Sequence, residues 1–324
     1  MRVTAALLTT AALLGLSACS KERHSPAEQY YLVTANKKLL YWKGAAAGLA
    51  DVAKQLGVQA EMVGPDNYAP QEEVAAFRRA VAKNPAGILV SAADPNLLKD
   101  EIDAAIAKGI PVVTMDADTP GSKRLTFIGT NNYQAGQMGG RVAVKALSGK
   151  GNVVFYTMPG QANLDERLDG YKSILAESPG IKIQQVVDVK GDPRIAFDTT
   201  KELIAKEPSP DAFVCLEASS CEEVADVLTR ENKTGKVVIA MDTDAGTLEW
   251  IKKGAIVATI AQKPYSMAFY GVKVLADLHY YKPSPLGQDW SRISRAPVPH
   301  FIDTGATLVD KSNVEQFIQA ANGQ

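Results

Sequence analysis

Between residues 30 and 281 two hydrophobic patterns alternate along the chain. Nearly continuous apolar runs, such as AFVCL at 212–216 and KVVIA at 236–240, suit strands covered on both faces. Between them, apolar residues recur every three or four positions, the spacing of an amphipathic helix. Ala46, Leu49, Ala50, Ala53 and Leu56 show this spacing, and Gly57 ends the run. The first series predicts strands at 30–34, 58–63, 87–90, 111–115 and 125–128, separated by helices at 40–56, 71–83, 95–108 and 133–147. The series then restarts with strands at 152–156, 181–187, 211–216, 236–240 and 255–261. Helices at 165–177, 195–206, 221–230 and 245–253 lie between them.

Strand–helix alternation of this kind gives parallel sheets with right-handed crossovers. Two series predict two lobes, with a break near 129–130 or 149–151. A long helix at 264–281 follows, then a Pro-, Ser- and Gly-rich connection at 282–299, a short strand at 300–304 crossing between lobes, and a final helix at 313–320. The expected division is 29–129 plus 263–292 for one lobe and 130–262 plus 293–324 for the other.

The N-terminus adds a compartment. Arg2 precedes a mostly apolar run, 3–16, that is too short to span a bilayer, and Leu16-Ser17-Ala18-Cys19 resembles a bacterial lipobox. Residues 1–18 read as a lipoprotein signal peptide, Cys19 as the lipidated residue, and 19–28 as a tether. The expected location is the periplasm or cell surface, held to a membrane through that lipid alone. With 35 Lys+Arg against 36 Asp+Glu and no basic block, the footprint of nucleic-acid binding is missing. Cys215 and Cys221 either form a disulfide in that oxidising compartment or remain two small buried thiols.

Enzymatic chemistry finds little support. His24, His279 and His300 are scattered and build no metal motif, and there is no GxSxG elbow or Walker A loop. The first strand is followed by Thr34-Ala-Asn-Lys-Lys rather than a dinucleotide-binding glycine loop, and Gly136, Gly139 and Gly140 read as helix-packing glycines. Neither metal nor cofactor is expected.

The strand ends carry more information, because open parallel sheets bind ligands beyond their carboxyl ends. Asp116 in PVVTMDAD and Asp242 after VVIAM stand at matching ends in the two series, and Gln262 ends a further strand. Carboxylates there accept paired hydroxyls, although Asp116 and Asp118 also suit helix caps. Arg167, in QANLDERLDGY, is either a solvated helical residue or a donor fork beside the cleft. Of Tyr41 and Trp42, one is expected to anchor the core and the other to lie against a sugar ring.

These residues, with GLADVAKQLGV, FIGTNNYQAG and the segment AMDTDAGTLEWIKKGAIVATIAQKPY, make the chain similar to periplasmic sugar-binding proteins of the ribose-binding type from about residue 30 to 281. The resemblance implies an α/β fold of two similar lobes, each a parallel β-sheet sandwiched by helices, joined by a three-strand hinge (periplasmic binding protein type I). It implies capture of a monosaccharide or related polyol, no catalysis, and a monomer that delivers ligand to an ABC permease. The alternative is a sensor passing a sugar signal to a receptor kinase or chemoreceptor. Ligand contacts carry onto Asp116, Arg167, Asp242 and Gln262, with Tyr41 and Trp42 as aromatic contacts and Asn36 or Lys37 at the first strand's end. The chain departs from the ribose binders at NKKLLYW, at Ala117 in place of an Arg, and at LEASS, which puts Glu217 where an amide is usual. Ribose itself is therefore not the implied ligand.

Overall fold

The computed structural model describes residues 24–321; the leader, Cys19 and the last three residues lie outside them. The first lobe is built from β1 (Gln29–Val33), α1 (Trp42–Leu56), β2 (Gln59–Val63), α2 (Pro70–Ala82), β3 (Gly87–Val90), α3 (Pro95–Ala107), β4 (Val112–Met115) and β5 (Phe127–Gly129). The second follows with α4 (Asn132–Ala146), β6 (Lys150–Thr157), α5 (Ala162–Leu175), β7 (Gly180–Asp188), α6 (Pro193–Ile204), β8 (Ala212–Cys215), α7 (Ser220–Arg230), β9 (Val237–Met241), α8 (Ala245–Lys253) and β10 (Ala258–Ala261). The chain then returns through α9 (Pro264–Tyr280) and β11 (Phe301–Asp303) before β12 (Thr307–Asp310) and α10 (Val314–Ala321).

Each sheet has six strands, ordered β11-β5-β4-β3-β1-β2 and β12-β10-β9-β8-β6-β7, so one topology is used twice. Pairing is parallel throughout the first sheet, and in the second only β12 runs antiparallel, against β10. The central strands β3, β4, β8 and β9 are buried along their whole length, whereas the edge strand β7 is largely exposed. Continuous apolar runs thus mark the strands that helices cover on both faces. One core fills the first lobe, and two clusters lie on either face of the second sheet.

The predicted stripe of α1 is displaced by about one position: Ala45, Gly48, Leu49 and Val52 are buried, while Ala50 faces solvent. The reason is α9. It packs along α1 so closely that a Cβ on Gly48 would stand 2.2 Å from the Tyr265 carbonyl oxygen. Gly136 and Gly170 have the same function between α4 and α5, where added Cβ atoms would meet the carbonyl oxygens of Arg167 and Tyr133 at 2.0 and 2.1 Å.

The chain passes between sheets three times, at 130–131, 262–263 and 304–306. Two of these crossings are tied together. Thr304 donates to the Gly129 carbonyl through its N–H (2.8 Å) and its hydroxyl (3.0 Å), and the Asn131 N–H donates to Asp303 Oδ1 at 3.2 Å. One boundary needs correction. The strand expected to cross at 300–304 belongs wholly to the first sheet as β11, and the second lobe resumes only at β12, later than residue 293. β12 escaped the pattern because its four residues, flanked by Gly305 and a turn, are too short to display a period.

Candidate ligand-binding site

The carboxyl ends of β1, β3, β4, β6, β8, β9 and β10 meet between the lobes around a partly open cavity of about 70 Å³. Asn36, Tyr41, Trp42, Asp116, Arg167, Glu217, Asp242 and Gln262 all line it. A wider groove of about 510 Å³, bounded by Lys43 and Asp244, shares Tyr41, Asp242 and Gln262 with it.

Asp116 and Asp242 occupy equivalent places, immediately after β4 and β9. Both adopt left-handed backbone, φ 63° and 68°, a conformation that is costly for most side chains but that Asp adopts more readily. Each turn is fixed by its backbone: the Asp116 N–H donates to the Ile128 carbonyl (3.2 Å) and the Asp242 N–H to that of Ile260 (2.9 Å). Two lobes therefore present carboxylates to one cavity by the same local device.

The carboxylates have different partners. Asp116 accepts from the Tyr41 hydroxyl at 2.7 Å and from the Ser91 hydroxyl at 2.8 Å. Asp242 accepts from Gln262 Nε2 at 3.0 and 3.3 Å. Burial raises the pKa of Asp116, opposed by the Arg167 charge. Burial also pushes Asp242 up to about 7, against the lowering pull of Arg167 and Gln262. Burial, with Asp116 next to it, raises the Tyr41 phenol well above its ordinary value, so Tyr41 stays a donor.

Arg167 is 2% exposed, which excludes the solvated reading. Its Nε donates to Asn132 Oδ1 (2.9 Å), one Nη to the Leu216 carbonyl (2.7 Å) and the other to Gln262 Oε1 (2.7 Å). Gln262 thus connects Arg167 to Asp242, holding donor and acceptor in fixed relation. A buried guanidinium is tolerated because its hydrogen bonds are met and carboxylates stand near it.

The expected split between Tyr41 and Trp42 does not hold. Both are buried and both line the cavity, edge to face at 5.1 Å, and Trp42 Nε1 donates to Asn36 Oδ1 at 2.8 Å. Asp118 is neither ligand-facing nor a helix cap: Arg124 grips it through two bonds of 2.5 Å, fastening the loop after β4. Glu217 reaches the cavity wall, but its oxygens accept from the Ser219 N–H and hydroxyl (both 2.7 Å) and the Ser220 N–H (2.9 Å). Cys215 and Cys221 form a disulfide, resolving that alternative.

Several contributors carried weaker signals. Ser91 follows β3 directly, so the strand-end rule that found Asp116 applies to it equally. Asn132 and Gln161 open α4 and α5 and are indistinguishable from ordinary helix-start residues in sequence. Tyr68 lies in a loop with no pattern of its own, yet its hydroxyl accepts from Gln161 Nε2 of the other lobe at 3.2 Å. Among the described residues no cluster of His, Cys, Asp or Glu suited to a metal ion occurs, and no helix is long and apolar enough to cross a membrane. The arrangement offers fixed acceptors, fixed donors and aromatic walls, which suits reversible capture of a polyhydroxylated molecule.

Known proteins share this architecture. The model of the periplasmic binding protein domain matches residues 30–282. The solved structure of AraP, an arabinose-binding protein from Geobacillus stearothermophilus, is 34% identical, with 90% of this chain and 99% of that one covered and a TM-score of 0.75. A sugar ABC transporter sugar-binding protein from Bacillus halodurans is 35% identical over 90% of this chain and 100% of that one, with a TM-score of 0.79. The D-allose-binding periplasmic protein of Escherichia coli (strain K12) is 24% identical over 262 residues, 78% of this chain and 84% of that protein.

Proposed function

The chain belongs to the periplasmic binding protein family, whose members bind substrates and are not enzymes, and we propose that it captures a neutral monosaccharide or related polyol between its lobes. The observation that carries this reading is the pairing of Asp116 from one lobe with Asp242 from the other, on one cavity, beside Arg167 and Gln262. Sugar hydroxyls donate to the carboxylates and accept from the guanidinium and amide. Tyr41 and Trp42 cover the apolar C–H face of the ring. Asp116, Asp242 and Glu217 against one Arg167 leave the cavity short of positive charge, which disfavours sugar acids and sugar phosphates. The arabinose and allose binders among its relatives support an aldose.

A ligand touching both lobes favours the closed form by its differential contacts. In this reading the protein is held outside the cytoplasm by lipid on Cys19, and the closed form delivers its sugar to an ABC importer, whose other chains hydrolyse ATP. The test is a thermal-shift screen of residues 20–324 against pentoses, hexoses, polyols, disaccharides and sugar acids. A neutral monosaccharide in about hundredfold excess over its dissociation constant stabilises by about 2.7 kcal/mol and raises the midpoint. A shift with sugar acids alone, or with no neutral sugar, overturns the reading.

A further inference from the structure

The Cys215–Cys221 disulfide closes the turn that joins β8 to α7, with Cα atoms 5.7 Å apart and both cysteines 1% exposed. A loop this short gains less stability from cross-linking than a long one. Its position is more telling than its length. Between the cysteines lie Leu216, whose carbonyl receives Arg167 Nη1 at 2.7 Å, and Glu217 and Ala218, which form part of the cavity wall. Beyond the second cysteine, Glu222 in the first turn of α7 accepts from the Thr247 N–H at 3.0 Å, reaching the turn that follows Asp242.

We propose that this disulfide is a positioning device of the ligand site. It holds the 216–220 turn so that the Leu216 carbonyl stays aimed at Arg167, which in turn holds Gln262 and Asp242. The hydrogen bonds inside the turn do not do this alone. Those of Glu217 run to Ser219 and Ser220, within the same few residues, and move with them. The anchor at the strand side is the Leu216 N–H on the Tyr156 carbonyl (2.9 Å); the disulfide ties that strand end to the start of α7, which Glu222 fastens in turn to the Thr247 N–H. Without it, Arg167 retains Asn132 and Gln262 but loses a fixed third acceptor, and its fork is free to turn. The inference rests on the cleft being the ligand site.

The test compares the wild type with C215A/C221A, and with C215V/C221A should the smaller pair fail to fold. Three readings are taken: affinity for L-arabinose and D-allose, amide exchange of 217–220, and the Arg167 Nη1–H resonance, both of the latter without sugar. The expected result is a folded variant with exchange at 217–220 faster by about tenfold, an Arg167 signal lost to solvent exchange, and affinity weaker by about tenfold. Affinity within twofold of the wild type, or unchanged exchange and an unchanged Arg167 signal, makes the disulfide a staple of the fold alone and overturns the proposal. Should the wild type bind neither sugar, that result bears on the proposed function. The exchange and Arg167 readings then decide this inference.

Discussion

Asp242 is a carboxylate held near the midpoint of its titration at neutral pH, and that state makes binding pH-dependent. Burial raises it to about 7, whereas the free side chain titrates near 3.8. In the ligand-free protein the folded state therefore holds an extra proton between those values, and the contribution of Asp242 to stability falls as pH rises through that window. Hydroxyl donors of a bound sugar favour the ionised form, so capture releases a proton. Affinity is expected to rise as pH approaches 7 and to level off above it. Calorimetry in two buffers of different ionisation enthalpy reads this release directly, and Asp242→Asn should abolish it while weakening binding about a hundredfold. Glu73 provides a parallel test on stability alone. It is fully buried, accepts from the Ala93 N–H at 3.1 Å, has no hydrogen-bond partner for Oε1 among the described residues, and is pushed up to about 8 by that burial. Because its folded value is raised, its stabilisation is present at low pH and lost as pH climbs towards 8. Glu73→Gln should raise the thermal midpoint at about pH 9 more than at about pH 6. Equal shifts at both would show that Glu73 does not titrate in this window. Asp116, Asp242 and Gln262 were legible in the sequence because each follows a buried apolar run, whereas Glu73 reads there as an ordinary acid in the first turn of α2.

At the scale of elements, the α4–α5 contact decides where Arg167 stands. Gly136 permits α4 to approach until the Arg167 carbonyl would be 2.0 Å from an added Cβ, and Gly170 permits the reciprocal approach. Gly136→Ala must separate the helices and carry Arg167 away from Gln262. The expected cost is about 2 kcal/mol of stability, together with loss of sugar affinity. Chemical denaturation beside a binding titration checks both, and an undiminished affinity would show that α5 tolerates the shift. Most elements were legible from hydrophobic period, because buried strands and one-faced helices have distinct repeats. The glycines of α4 were recognisable as packing residues, but nothing in sequence says that α5 is their partner. The offset in the α1 stripe has the same origin, since α9, more than two hundred residues later, chooses the face it covers.

At the scale of the whole molecule, the two lobes meet at the crossings and again across the cleft through Tyr68. Its ring lies against Gly191, where an added Cβ would be 2.7 Å from it, and its hydroxyl accepts from Gln161. Tyr68 and Gln161 both line the cavity, so this contact latches one lobe to the other at the wall of the sugar site. Tyr68→Phe is expected to speed sugar dissociation about fivefold in stopped-flow measurements while leaving association nearly unchanged. Equal changes in both rates would show that Tyr68 does not latch the lobes. The two-lobed architecture was legible because the strand–helix series restarts, but the closing contacts were not, since they join loops without any period. In the proposed function one sugar is held by both lobes at once. Titration calorimetry of the wild type, Asp116→Asn and Asp242→Asn against the sugar found by thermal shift tests it most directly. One site in the wild type, with binding lost or severely weakened in each variant, is the predicted result. Unaltered affinity in either variant would place the ligand on one lobe alone and rule out capture between the lobes.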